Sequence, residues 1–209
     1  MAGKSMKILF VNGSPRRGNT ALVLEALAAR LRAHEAETAN LADLRVNGCI
    51  GCLKCQQDVE HFVCHQEGDD ANAVLAKIVA ADAVLLATPL YGHSFTAQLK
   101  CLADRASALV KWVGGETPHV ISALKDKPVG LVVTCGGPSA GNADLALELF
   151  DKIAEGQQAR VFGKYVFEFC PADPSGFAPD GAVVGQMAAD LEALAAERSP
   201  EPVSEPISA

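Results

Sequence analysis

Short apolar runs alternate along this chain with stretches of helical spacing. Ile8, Leu9, Phe10 and Val11 are apolar without alternation, as in a strand covered on both faces of a parallel sheet. Leu24, Leu27 and Leu31 then mark one face of a helix over 21–34, and a short second strand is expected at 37–41. Residues 41–64 have neither period and read as a long loop. Asp69 and Asp70 can cap a helix carrying Val74, Leu75, Ile78 and Val79, and the run AVLLA at 83–87 is a third buried strand. Thr96 opens a helical pattern through Leu99, Leu102, Ala106, Leu109 and Val110, and a Gly- and Pro-bearing loop follows at 114–119. Strands at 129–133 and 161–169, the latter alternating like an edge, bracket a helix at 142–155, and a last helix covers 184–197. This is the pattern of a doubly wound α/β fold, a five-stranded parallel sheet with helices on both faces. Ligands of such sheets bind beyond the carboxyl ends of the strands, here in the loops after strands one, three and four.

Composition narrows the partners. Hydrophobic residues make up 49% of 209 positions, enough for one good core, so one domain is expected over 1–198, with a cysteine-rich insertion at about 42–68. The segment 199–209, SPEPVSEPISA, has no apolar face and reads as a disordered tail. A net charge of −7 speaks against nucleic acid as a partner, because that affinity comes from clustered Lys and Arg. No apolar run is long enough to span a membrane, and the one near the start is broken at Asn12 and Gly13 too soon for a signal peptide. The expectation is a cytoplasmic protein whose seven cysteines are reduced thiols or metal ligands.

The first loop, Asn12-Gly13-Ser14-Pro15-Arg16-Arg17-Gly18-Asn19-Thr20, joins a strand to a helix through residues that tolerate turns. It matches neither the Walker A spelling nor G-x-G-x-x-G. The amides of a first helical turn suit an anion, and Ser14, Arg16, Asn19 and Thr20 add donors beside them. An ordinary capped βα loop is the alternative, and the adjacent arginines favour a phosphate site over it. After the third strand comes Thr88-Pro89-Leu90-Tyr91-Gly92-His93-Ser94, and a helix with Leu99-Lys100 and Asp104-Arg105 follows.

These two motifs together resemble the flavodoxin-like NAD(P)H-dependent FMN reductases, over nearly the whole of 7–169. The resemblance implies a flavodoxin-like sheet with FMN as cofactor and NAD(P)H as co-substrate. It puts Ser14, Arg16, Asn19 and Thr20 on the FMN phosphate. Pro89, Leu90, Tyr91, Gly92 and Ser94 would lie along the isoalloxazine edge, with Cys135, Gly136 and Gly137 on the ring's other side. A planar ring needs polar backbone at its edge and an apolar wall, which fits those residue types independently. His93 is assigned no role, and Tyr91 read alone is a half-buried core aromatic.

Cys49, Cys52 and Cys55, in the spacing C-x2-C-x2-C, are followed by Cys64. The motif resembles that of the iron-sulfur flavoproteins, a branch of the same fold, and implies a 4Fe-4S cluster on the four cysteines. The gap to Cys64 departs from that branch, and Pro follows Cys170 rather than Cys64. A cluster, zinc in the same tetrahedral set, and a loop without metal are all open at this point. Cys101, in a helical pattern, reads as a core residue.

The expected function is FMN-dependent transfer of electrons from NAD(P)H to a small-molecule acceptor: a quinone, flavin, nitro or azo compound, or metal ion. The alternatives are an electron carrier serving a ferredoxin-like protein through FMN and a cluster, and a non-catalytic flavin or metal sensor. Proteins of this kind are homodimers or homotetramers, which offers Trp112 and the 114–119 loop a subunit contact as an alternative to the core.

Overall fold

The computed structural model describes residues 5–115, 117 and 119–197. Five parallel strands form the sheet: β1 (Lys7–Asn12), β2 (Glu35–Asn40), β3 (Ala83–Pro89), β6 (Pro128–Thr134) and β7 (Arg160–Phe167), in the order β2-β1-β3-β6-β7. Chain direction along the sheet reverses between β1 and β3, which is where such sheets open a crevice.

Strand geometry explains why the central strands read as continuous apolar runs. Successive side chains leave a strand on opposite faces. Ile8 and Phe10 of β1 pack with Leu85, Val132, and the helices α1 (Asn19–Ala28) and α6 (Gly181–Glu197) on one face. Leu9 and Val11 pack on the other with Val84, Leu131 and the helices α3 (Ala71–Ala80), α4 (Ala97–Arg105) and α5 (Asp144–Gly156). Both faces are therefore covered, and β2 and β7 are the edges.

Several boundaries differ from the sequence expectation. α1 ends at Ala28, although Leu31 beyond it stays buried. The helical pattern after Thr96 stops at Arg105, where a 3-10 turn over Ala106–Leu109 leads into a strand. That strand, β4 (Val110–Val113), pairs antiparallel with β5 (His119–Ser122), a hairpin where only a loop was expected. Short four-residue strands carry too little period to be read from sequence. Inside the expected 41–64 loop lie a 3-10 turn at Leu41–Asp43 and the single-turn helix α2 (Lys54–Gln57). Asp70 occupies the cap position of α3 without a side-chain cap bond, its carboxylate accepting instead from the Arg45 amide at 2.8 Å. The 199–209 tail lies outside the described residues.

Gly13 stitches the crevice shut at its base. Its amide donates to the Ala87 carbonyl at 2.8 Å, and its carbonyl accepts from the Thr96 hydroxyl at 2.6 Å. A Cβ on Gly13 would stand 2.6 Å from the Leu99 Cβ and 3.2 Å from the Ala87 oxygen, neither of which can swing away. We expect Gly13→Ala to cost about 1 to 3 kcal/mol by overpacking. A thermal midpoint equal to wild type would contradict this close approach.

Candidate functional site

A cleft of about 240 Å³ opens at the carboxyl ends of β1, β3, β6 and β7. Its floor is the loop from β1 into α1. Asn12 sets this loop by accepting the Ser14 amide at 3.0 Å, and the Ser14 hydroxyl closes a turn by donating to the Arg16 carbonyl at 2.7 Å. Gly18 is the cap residue of α1 and supplies no side chain, so the first-turn amides of α1 face the loop without a side-chain partner. The Thr20 hydroxyl is buried and bonded to the Thr134 hydroxyl at 2.8 Å, which ties α1 to β6.

The segment after β7 makes the far wall. Arg16 Nη2 donates to the Ala172 carbonyl at 3.0 Å and Asn19 Nδ2 to the Pro171 carbonyl at 2.7 Å. The same segment is zipped to the loop after β6: the Cys135 amide donates to the Phe167 carbonyl, and the Cys170 amide to the Cys135 carbonyl, each at 2.9 Å. Burial pushes the Cys135 thiol up, with the Glu168 carboxylate adding to it, and burial pushes the Cys170 thiol up as well. On the near side, Tyr91 and Ser94 exchange backbone bonds at 3.1 Å across Gly92 and His93, both in the left-handed region at φ +56° and +62°. This is the φ sign pattern of a type I′ turn, and it costs Gly92 less than His93. His93 is held there by a bond between its Nδ1 and the Asn142 carbonyl at 3.1 Å.

The cysteine-rich loop lies on the α4 side, fastened by two buried cations. Arg105 is fully buried: its Nε donates to Cys64 Sγ at 3.1 Å, and its Nη1 to the Asn47 carbonyl at 3.1 Å and Asp69 Oδ2 at 2.7 Å. Its Nη2 reaches the Gln66 carbonyl at 3.0 Å, so one guanidinium pins both ends of the loop. Burial alone would lower the Arg105 pKa and raise that of Asp69, but the pair and its hydrogen bonds shift both the other way. Lys111 of β4, also at 0% exposure, donates to the Cys55 carbonyl at 2.5 Å and lies 5.6 Å from the Phe62 ring centroid. It has no carboxylate partner among the described residues. Gln56 completes the attachment by donating to the Ser107 and Val110 carbonyls at 3.0 and 2.8 Å.

Comparison with known proteins bears on both features. The model of the family described as NADPH-dependent FMN reductase matches residues 6–170. The chain belongs to this family. Among curated relatives of this FMN reductase family member, an iron-sulfur flavoprotein of Methanosarcina thermophila is 31% identical over 146 residues, 68% of this chain and 70% of the relative. An iron-sulfur flavoprotein of Archaeoglobus fulgidus is 39% identical over 103 residues, 48% of this chain and 49% of the relative. The chain spans about half the length of the first curated relatives it matches. A solved azoreductase of Bacillus anthracis superposes with a TM-score of 0.62 at 20% identity, covering 92% of this chain and 98% of that one, a likeness of fold. The flavodoxin-like sheet expected from sequence is thus shown.

Within this FMN reductase family member, the structure gathers Ser14, Arg16, Asn19, Thr20, Pro89, Leu90, Tyr91, Cys135 and Gly136 into one cleft lining. Gly92, Ser94 and Gly137 lie outside that lining, Gly92 and Ser94 being spent on the turn and Gly137 accepting from Cys135 Sγ at 3.2 Å. Thr134, Cys170, Pro171 and Ala172 line it and were not read from sequence. The signal available was their place after a strand end, since the loop following the fifth strand opens on the same edge as the other three. Cys170 therefore belongs with Cys135 rather than with the cysteine-rich loop. A flavin mononucleotide fits this lining on one observation in particular. Asn19 Oδ1 is buried without a partner, and an orphaned acceptor there suits a hydroxyl donor such as a ribityl chain carries.

The four motif cysteines are not brought together. Cys49 and Cys52 are exposed and Cys55 is half-buried. Cys64 is buried, its amide and carbonyl bonded to Asn72 at 3.0 and 2.7 Å. Among the described residues no group of three or more His, Cys, Asp or Glu is placed to hold a metal. Arg105 and Asn72 hold Cys64 to the core, while Cys49 and Cys52 sit on a solvent-facing turn. The donor chemistry of four thiols suits a thiolate-bound cluster, and Lys111, with no carboxylate partner among the described residues, stands behind the motif with its Nζ on the Cys55 carbonyl. Cys101, on α4, is half-buried.

Proposed function

We propose that the protein is an FMN-dependent oxidoreductase that takes reducing equivalents from NADH or NADPH and passes them to a small-molecule acceptor. The acceptor class comprises quinones, free flavins, nitro and azo compounds, and metal ions. The observation that carries this reading is the cleft lining, where the uncapped start of α1, the Arg16 guanidinium and the orphaned Asn19 Oδ1 converge. Bound FMN would supply the hydride-accepting ring. Arg16 and the α1 amides would neutralise its phosphate, Asn19 would accept from the ribityl chain, and Pro89, Leu90 and Tyr91 would give the ring an apolar wall. The turn at Gly92 and His93 orients Tyr91, which keeps half its surface exposed. No side chain of the lining is a carboxylate or imidazole. The test is anaerobic mixing of FMN-loaded protein with NADH or NADPH. Stoichiometric loss of the oxidised-flavin absorbance supports the reading, and an unchanged spectrum with both donors overturns it.

A second reading, an electron carrier holding FMN and a 4Fe-4S cluster and serving a ferredoxin-like partner, is favoured by the buried Lys111 under the cysteine-rich loop, which has no carboxylate partner among the described residues. Curated relatives bearing the name iron-sulfur flavoprotein support it too. Cys49, Cys52, Cys55 and Cys64 would hold the cluster. Cys52→Ser should then lose most of its iron and acid-labile sulfide while FMN content stays at wild-type level, because the cleft shares no residue with the loop. Anaerobically prepared wild-type protein with neither iron nor sulfide would remove this reading and leave the reductase. A homodimer or homotetramer is the proposed assembly, supported by Trp112 of the β4–β5 hairpin at 72% exposure and Phe169, next to Cys170 of the cleft lining, at 67%. No helix among the described residues is long and apolar enough to cross a membrane.

A further inference from the structure

Two cysteines outside the C-x2-C-x2-C motif meet in the wall of the cleft, where the flavin reading uses Cys135 only as lining and gives Cys170 no task. Cys135 follows β6 and is buried. Cys170 follows β7 and is half-buried. Their backbones are joined by the bond from the Cys170 amide to the Cys135 carbonyl at 2.9 Å, which sets neighbouring Cα atoms at a separation disulfides span. Cys170 Sγ donates to the Phe167 carbonyl oxygen at 3.2 Å, and Cys135 Sγ lies 3.6 Å from the same atom while making its shorter bond, 3.2 Å, to the Gly137 carbonyl. Both sulfurs thus lie around one carbonyl oxygen, on backbones that are already bonded to each other. The remaining five cysteines lie elsewhere: four in or beside the cysteine-rich loop and Cys101 on α4.

We propose that Cys135 and Cys170 are a redox-active dithiol in the cofactor cleft, converted to a disulfide by an oxidant of the peroxide class. In the first step the more exposed Cys170 sulfur attacks a peroxide oxygen, the O–O bond breaks, and a sulfenic acid and one water form from hydrogen peroxide. In the second step the Cys135 sulfur attacks the Cys170 sulfur, the S–O bond breaks and the S–S bond forms. The hydroxyl leaves as a second water with the Cys135 proton. Two thiols are oxidised by two electrons and one peroxide is reduced to two waters. The product removes the thiol bonds to the Phe167 and Gly137 carbonyls and ties the loop after β6 covalently to the loop after β7. That second loop carries Pro171 and Ala172, whose carbonyls accept from Asn19 and Arg16. The bridge therefore couples oxidant level to the geometry of the residues lining the cleft, whatever occupies it.

Peptide mapping of the full-length, FMN-loaded protein over a hydrogen peroxide time course, with free thiols alkylated before digestion, tests this. The expected result is a Cys135–Cys170 cross-linked peptide that replaces both alkylated peptides and returns to them after dithiothreitol. Cys135→Ser should stop at a Cys170 sulfenic acid that a dimedone probe labels. Recovery of Cys135 and Cys170 as fully alkylated thiols, while Cys49 and Cys52 pair or oxidise, would overturn the proposal. The wild-type map decides alone should the variant fail to fold. Failure here leaves NAD(P)H-dependent flavin reduction untouched, so the two readings fail separately.

Discussion

Arg105→Met should cost the protein about 3 to 5 kcal/mol of stability, the usual penalty for breaking one side of a buried ion pair. The substitution keeps an unbranched stem in the core. It leaves Asp69, itself at 1% side-chain exposure, without its cation, and strands the Asn47 and Gln66 carbonyls. Because the guanidinium holds the loop at both ends, the segment between Asn47 and Gln66 should become protease-sensitive in the native state. The sign with pH follows from the carboxylate. Asp69 is held below its ordinary value of 3.8: burial opposes this, and the Arg105 hydrogen bond and the amides of Asn47 and Ala71 outweigh it. Its contribution is complete at neutral pH and is lost as the pH falls through the lowered folded value. Urea midpoints should therefore drop more steeply below about pH 4 in wild type than in Asp69→Asn. The double variant Asp69→Asn/Arg105→Met should recover part of the single-variant loss, since replacing both partners removes the stranded charge. A loss under about 1 kcal/mol in Arg105→Met, near the value of an exposed pair, would show that the guanidinium does not clamp the loop.

Arg16→Ala should weaken FMN binding by about 1.5 to 3 kcal/mol, the range of hydrogen bonds to a charged group, or roughly 10- to 150-fold in Kd. Two effects act in the same direction. The phosphate loses a cation, and the Ala172 carbonyl loses the donor that holds the far wall of the cleft. Arg16→Lys separates them, because an ammonium keeps the charge but not the fork that spans both groups. Lys at this position should restore part of the affinity. FMN titration by flavin fluorescence checks both variants, and an unchanged Kd in Arg16→Ala would move the phosphate elsewhere in the cleft.

How much of this was legible in the sequence depended on how local the signal was. Ile8 to Val11 and Val129 to Val133 announced buried strands because both sheet faces are covered, whereas the order β2-β1-β3-β6-β7 is set by long-range pairing that such runs do not carry. The β4–β5 hairpin was hidden because its apolar residues continue the helical spacing of α4, and the change of period at Val110 is set by contacts with the cysteine-rich loop, such as Gln56 to Val110. The phosphate loop was legible as a cluster of donors, but not which donors stay available. Ser14 and Thr20 spend their hydroxyls on Arg16 and Thr134, a pairing that depends on a residue 114 positions away in the second case. Pro171 and Ala172 offer only backbone carbonyls to Asn19 and Arg16, which no side-chain pattern reveals. For the cysteines, spacing named the four residues and could not show that Cys64 packs beneath Arg105 while Cys49 and Cys52 face solvent. The buried Lys111 carried no signal either, since a lysine between two β-branched or aromatic neighbours reads as a solvated position.

The central claim is that the β1–α1 cleft is a site for a flavin carrying a phosphate. Parallel titrations of the purified apoprotein with FMN and with riboflavin test it most directly, because the two ligands differ only in that group. The account predicts that FMN binds at least tenfold more tightly, about 1.4 kcal/mol or more, and that Arg16→Ala removes most of this difference. Equal affinity for FMN and riboflavin, or no binding of either, would contradict it.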